Sequence, residues 1–377
     1  MGEAMKRRRV LILGAGGAAG NNVVESLLDG PEPMYLVGTD CNRYHLEWPG
    51  VDRVYLLPPC TSPGYVDRLN DVIEREKIDV VHAQPDVEVR VVSESREQLR
   101  ARTYLPSKEV IRLLQDKLLS AAAWRKAGLH DFPTLVVEDE ASICQAVVQL
   151  GLPLWLRATE GAGARGSTLA ENLETALHWL GYWRARGVGW KFIAQPYLPG
   201  REYAFQSLWY KGELITSQGR ERLEYIFPHL APSGKTGTSA VTVTVHDAAL
   251  NDTATRAILA VDPRPHGVYS VDLVADRRGR MVPTEINAGR FFTTTYFYTL
   301  AGLNMPYHYI RLAMDEPAPD LPRYDALPAG LHWIRHIDCP AVLVAADEMR
   351  YRQADGEHLR RLRWDGSRSV RKAVQAV

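Results

Sequence analysis

Residues 282–291 read VPTEINAGRF, and residues 267–275, just upstream, read GVYSVDLVA. Apolar and polar positions alternate through both runs, the pattern of strands with one covered face. Between them Asp276, Arg277, Arg278 and Gly279 supply turn chemistry. A loop over 277–280 closes a hairpin in which Asp272 lies directly opposite Glu285. Two carboxylates facing each other on one face repel. A divalent cation between them turns that repulsion into a site. Asn287 is on the same face as Glu285, two residues on, and Arg290 follows. Oxygen donors beside an arginine suit magnesium carrying a phosphate. Taken alone, the same residues read equally well as a surface hairpin with scattered acids.

Composition bounds the rest. The chain has 377 residues, 46% hydrophobic and 24% charged, as expected of a soluble globular protein of two or three domains. Lys+Arg (45) balance Asp+Glu (45), which argues against a nucleic-acid partner. Cys41, Cys60, Cys144 and Cys339 are scattered and form no C-x-x-C, so no zinc or disulfide framework is expected and reduced thiols in a cytoplasmic setting are. Residues 6–20 imitate a secretory leader, but the apolar run is short and glycine-broken and reads better as a strand entering a glycine turn. Lys6 rules out a myristoylation signal. No apolar run is long enough for a bilayer, so no membrane partner is expected.

The N-terminal part opens as a βαβ unit: a strand over 9–13, the turn Gly14-Ala15-Gly16-Gly17-Ala18-Ala19-Gly20, a helix over 21–28, and a strand over 35–39 ending at Asp40. This fits the dinucleotide fingerprint, with Asp40 as the ribose acid. It also fits a doubly wound domain whose glycine turn serves packing or another ligand. Helical periodicity follows over 65–76 and 87–100, and a buried strand over 79–83 carries His82, a core histidine. Ser107 caps a helix over 108–114, and a second helix begins at 115–117.

A strand over 154–156 ends at Arg157, and Gly161, Gly163 and Gly166 make a flexible loop, holding Arg165, before a strand over 167–170. Such a loop lays backbone N–H groups over phosphates. It lacks the Gly-Lys-Ser/Thr of a Walker loop, and its plain alternative is a floppy hairpin tip. A strand over 191–194 leads to Gln195-Pro196-Tyr197-Leu198, and Glu202 begins another after the Pro199-Gly200 turn. Strands over 203–209 and 213–217 pair around Lys211-Gly212, with Arg220 and Arg222 beyond them. Residues 234–237 form a second flexible segment before a strand over 238–245 and a helix over 248–260. The aromatic and threonine-rich run 291–298 walls a pocket or is core. A helix over 304–314, a proline-marked linker, a strand-like run over 331–345 and an arginine-rich tail complete the chain.

The hairpin D-L-V…E-I-N-A-G-R, the run D-K…W-R-K-A-G-L…F-P-T, the glycine loop, the Q-P-Y-L segment and G-R-E-Y, in this order, resemble the ATP-grasp superfamily. The likeness is to its carbamoyl-phosphate synthase-like, carboxylate–amine ligase branch, and it covers roughly residues 9–314. It implies an α/β (α+β) chain with a Rossmann-like preATP-grasp domain over 1–106 that binds no nicotinamide. An ATP-grasp domain with two α+β lobes would follow over 107–316, a glycine-loop lobe at about 130–196 and a metal-binding lobe at about 197–316, and then a C-terminal extension over 317–377.

The same resemblance implies ATP and Mg²⁺ as cofactors. Magnesium falls to Asp272, Glu285 and Asn287. The nucleotide falls to Lys117, Arg157, Gly163, Arg165, Gly166, the adenine hinge Gln195, Pro196, Tyr197 and Leu198, and Glu202. Arg290 and Arg220 are the implied catalytic residues. The implied reaction joins a small-molecule carboxylate to an amine through an acyl phosphate, and the resemblance allows a homodimer. One departure stands out: Asp272 occupies a position where relatives often carry Glu or Gln. It leaves open a nucleotide-binding regulator that keeps the fold without ligation. An NAD(P)-dependent oxidoreductase is the remaining alternative, without a visible catalytic pair.

Overall fold

The computed structural model describes residues 7–161, 166–231, 233–337 and 339–345, whose strands form three sheets. The first is parallel, in the order β3-β2-β1-β4-β5. Its strands are β1 (Arg9–Leu13), β2 (Tyr35–Asp40), β3 (Arg53–Leu56), β4 (Val80–Ala83) and β5 (Arg102–Thr103). Helices α1 (Ala18–Leu28), α2 (Tyr65–Glu76) and α3 (Asp86–Glu94) connect them. Near-continuous apolar runs such as RVLIL suit strands covered on both faces. This is the doubly wound domain expected from the βαβ opening. The edge strand β3 is mostly exposed and so has no pattern to read. The helix expected over 87–100 stops at Glu94, because the chain turns back through Arg96–Gln98 to lay β5 beside β4.

Close backbone approach explains the first glycine turn. A Cβ on Gly16 would stand 2.2 Å from the His45 carbonyl oxygen, and one on Gly20 2.1 Å from the Gly14 oxygen. The turn is shut by the chain itself, and Asp40 accepts from the Asn42 N–H at 2.9 Å.

Ser107 caps α4 (Lys108–Gln115), and Asp116 caps α5 (Lys117–Lys126) by accepting from Leu118 and Leu119 N–H. They lead to the second sheet, antiparallel, ordered β6-β9-β7-β8: β6 (Leu135–Val137), β7 (Leu154–Ala158), β8 (Ser167–Ala170) and β9 (Phe192–Pro196). With α6 (Glu140–Leu150) and α7 (Leu173–Ala185) it encloses its own core of Ile143, Leu154, Leu156, Leu180 and Phe192.

The third sheet is antiparallel, ordered β14-β13-β10-β11-β12-β15-β16. It comprises β10 (Glu202–Tyr210), β11 (Glu213–Tyr225), β12 (Ser239–Val245), β13 (Gly267–Ala275), β14 (Met281–Ala288), β15 (Leu331–His336) and β16 (Cys339–Ala345). Helices α8 (Ala248–Leu259), α9 (Thr295–Leu300) and α10 (Met305–Ala313) accompany it. The expected end of the second hairpin strand at 217 is corrected: β11 continues to Tyr225, because β12 pairs with its second half, Gly219 against Val245 onward. Arg220 and Arg222 therefore stand on a strand rather than in a loop. The first and third sheets share cores: Leu11 and Val81 pack in one cluster with Phe205 and Tyr269, and Ile12 in another with Phe291 and Tyr309. The second sheet is thus a lobe with its own core set on a larger body. Among the described residues no helix is long and apolar enough to cross a membrane.

Candidate functional site

The β13–β14 loop is 276–280, closed by Asp276 N–H donating to the Arg280 carbonyl at 2.9 Å. Ala275 pairs with Met281 and Leu273 with Pro283, a register that on its own would set Asp272 opposite Thr284. The register slips between Leu273 and Asp272, and Thr284 is the extra residue. Its hydroxyl donates to the Asp272 carbonyl at 3.1 Å. Beyond this bulge Asp272 faces Glu285 and Ser270 faces Asn287. The expected opposition of Asp272 and Glu285 holds, by a longer loop plus a bulge rather than the shorter loop 277–280.

Each of these acceptors meets a cation. Asp272 is paired with Arg222 of β11. Glu285 lies 3.7 Å from the Lys117 ammonium, which donates to the Gly161 carbonyl at 2.9 Å. Asn287 accepts through its side-chain oxygen from Arg290, whose guanidinium also grips both carboxylate oxygens of Asp86. Arg157 donates to the Thr284 carbonyl at 2.8 Å, and its Nε has no partner among the described residues. Burial pushes the Asp272 carboxyl above its ordinary range, against Arg222, and Glu285 adds to the rise. Burial also works against the charge on Glu285, but Lys117, Arg157 and Arg290 outweigh it and hold that carboxyl low.

These groups line one cavity of about 340 Å³. Lys117, Arg157, Gln195, Pro196, Tyr197, Leu198, Glu202, Arg220, Asp272, Glu285, Asn287 and Arg290 all reach its wall. Gly166 does not; a Cβ there would meet the Trp190 ring at 3.0 Å. Gly163 and Arg165 lie outside the described residues. The described cations of the wall are Lys117, Arg157, Arg220, Arg222, Lys235 and Arg290, against the acids Glu160, Glu202, Asp272 and Glu285. That positive excess calls for an anionic ligand.

Other wall residues escape sequence reading. Glu202 accepts from Tyr225 and forms an ion pair with Lys235 at 2.5 Å. The Lys235 ammonium stands 5.3 Å from the centre of the Trp155 ring and 5.6 Å from that of Tyr197. Arg222, named with Arg220 in the sequence as a positive side chain beyond the hairpin, joins it over the Phe292 ring, at 5.9 and 4.8 Å from the ring centre. Lys235 sits in the segment 234–237, whose glycines announced only flexibility.

The donor set suits a hard dication. Asp272, Glu285 and Asn287 offer two carboxylates and an amide oxygen on one face, and magnesium is commonly held by one or two carboxylates plus phosphates. Burial chiefly raises Asp272, and the added repulsion from Glu285 is what such an ion relieves. No cluster of three His, Cys, Asp or Glu occurs among the described residues, so the protein alone supplies only part of a coordination shell.

The chain is similar in structure to N5-carboxyaminoimidazole synthetase from Staphylococcus aureus complexed with ADP, with a TM-score of 0.66 and 16% identity over 87% of this chain and 82% of that one. It is also similar to L-amino acid ligase from Bacillus licheniformis, with a TM-score of 0.65 and 14% identity over 87% and 79%. A third likeness is to the biotin carboxylase domain of Hydrogenobacter thermophilus 2-oxoglutarate carboxylase, in complex with MgADP, ADP and bicarbonate. There the TM-score is 0.65 and the identity 16%, over 87% and 73%. No family model matches the sequence, and no curated protein matches it. The architecture is the ATP-grasp fold, as the order of the motifs leads one to expect.

Proposed function

We propose that this chain, built on the ATP-grasp fold, is a magnesium-dependent, ATP-consuming ligase that joins a small-molecule carboxylate to an amine through an acyl phosphate. The observation that carries this reading is the opposed pair Asp272 and Glu285, set in a cation-lined cavity beside the second sheet's lobe. Asp272, Glu285 and Asn287 would hold Mg²⁺, which when bound neutralises and orients phosphate oxygens. Lys117 and Arg157 would hold the nucleotide phosphates. Trp155, Tyr197 and the backbone of 195–198 would take the base, with Glu202 on the ribose side.

Arg290, fixed by Asp86 from the first sheet's side, would stabilise the transferring phosphoryl group. A substrate carboxylate oxygen attacks the γ-phosphorus, the bond to the β–γ bridging oxygen breaks, and ADP leaves. The amine nitrogen then attacks the acyl carbon, phosphate departs with the C–O electron pair, and the nitrogen's proton passes to water. Both steps need positioning and charge neutralisation more than a general base, and the cavity supplies cations for that purpose.

The test is thermal stability with Mg·ATP against NAD(H), followed by phosphate release with panels of acids and amines. A rise in Tm with Mg·ATP, and release that needs both an acid and an amine, is the expected result. A rise with NAD(H) alone would overturn the reading. ATP binding without release for any acid would leave only a nucleotide-binding regulator.

A further inference from the structure

Arg220 is fully buried, yet among the described residues no carboxylate pairs with it. Its Nε and Nη1 have no hydrogen-bond partner among the described residues. Asp272, whose charge reaches it, is already paired with Arg222. The guanidinium lies over the Phe292 ring, 4.8 Å from its centre, with the Tyr298 hydroxyl alongside. The next residue, Thr293, holds a second arginine: Arg335 of β15 donates to the Thr293 carbonyl at 2.9 Å, to its hydroxyl at 3.2 Å and to the Ser239 carbonyl at 3.0 Å. Arg335 has no acid partner among the described residues either. Phe292, Thr293, Ser239 and Arg220 all line the cavity. Burial, and then the charge of Arg220, push Arg335 down to about 10.

A buried guanidinium facing one end of a cavity without a counter-charge, with a second, half-buried one behind it, is costly unless a ligand supplies that charge. The sheet fixes where that end lies. Asp272, Ala204 and Arg220 are in register across β13, β10 and β11. Arg220 is therefore two strand spacings, roughly 10 Å, from Asp272, and Glu285 lies one strand further. Building on the ligase reading, we propose that the acid substrate is a short dicarboxylate: one carboxylate is activated at the phosphate centre, and the other is bound by Arg220, with Arg335 reinforcing the charge from behind Thr293.

The experiment measures calorimetric binding of succinate, glutarate, L-aspartate and L-glutamate against butyrate, valerate, L-asparagine and L-glutamine, with and without saturating Mg·AMPPNP. At least one diacid should bind about tenfold or more tighter than its uncharged-end counterpart. Arg220→Met should abolish that preference, leave the Kd for Mg·ATP within about twofold, and raise the Tm of the free protein, since an unpaired buried charge is removed. Arg335→Gln should weaken the diacid about tenfold and Arg335→Lys should restore part of it. Equal or absent binding of diacids and monoacids overturns the proposal. So does loss of Mg·ATP binding in Arg220→Met, which would assign the arginine to the nucleotide. Failure of the wild type to bind Mg·ATP sinks the ligase reading separately, because the diacid preference is also measured without nucleotide.

Discussion

Asp272 and Glu285 stand opposite each other because Thr284 is an extra residue in β14. Side chains alternate between faces along a strand, so a one-residue shift moves every group beyond it to the other side. Without the bulge, Glu285 and Asn287 would turn away from Asp272. The bulge also leaves the Thr284 carbonyl free to accept from Arg157, which ties the second sheet's lobe to the hairpin.

Glu285→Ala should therefore lower acid- and amine-dependent phosphate release by about 10²–10³-fold, the scale for removing one preorganised charge at a transfer site. Its melting temperature should change by no more than a few degrees, since among the described residues the Glu285 side chain makes no hydrogen bond and its ion pair with Lys117 is loose, at 3.7 Å. Full turnover in this variant, measured as phosphate release, would remove the hairpin from the reaction.

The alternation of 267–275 and 282–291 makes the hairpin and its opposed acids legible from residue types alone. Loop length is not, because 276–280 and 277–280 carry similar turn residues and only the bulge distinguishes their outcomes. The cations are legible only where a motif flags them. Arg222 meets Asp272 across β10, and Lys235 meets Glu202 from a distant segment; neither relation has a local spacing to read. Edge strand β3 is exposed and so carries no burial pattern.

Lys235 neutralises Glu202 and covers the Trp155 and Tyr197 rings, so it both orients the acid and shields the base site. Lys235→Ala should raise the KM for ATP by about tenfold, the effect of losing a partly desolvated charge contact, while kcat falls much less. Steady-state kinetics at saturating acid and amine decide it; an equal fall in kcat at unchanged KM would contradict this role.

The glycine turn after β1 is closed by its own chain. In Gly16→Ala the new methyl would stand 2.2 Å from the His45 oxygen and 2.6 Å from its carbonyl carbon, both backbone atoms that cannot swing aside. The variant should lose about 1–3 kcal/mol or more of stability, read by chemical denaturation. NAD(H) should leave the melting temperature of the wild type unchanged; a rise would show that the turn opens to a dinucleotide.

Two groups near the ends of β4 and α3, buried His82 and half-buried Glu88, make opposite contributions to pH dependence. Burial, helped by Asp40 and opposed by Tyr65, pushes the Glu88 carboxyl up to about 7, and its Oε2 has no partner among the described residues. Between its unfolded value near 4.5 and about 7 the native state holds the extra proton, so this contribution to stability is present at low pH and lost as pH rises. His82 is the reverse. Burial lowers it to about 4, against the bond its Nε2–H donates to Gln84 at 2.9 Å. The unfolded state then takes the extra proton between about 4 and 6.5, so stability falls as pH drops. Each shift corresponds to about 3 kcal/mol, and over the shared range the two slopes offset. Glu88→Gln removes one and leaves the other. Relative to the wild type, its unfolding free energy should rise by about 3 kcal/mol from pH 4.5 to pH 7 in denaturant titrations. A difference that stays flat across this window would mean that Glu88 is already ionised in the folded protein.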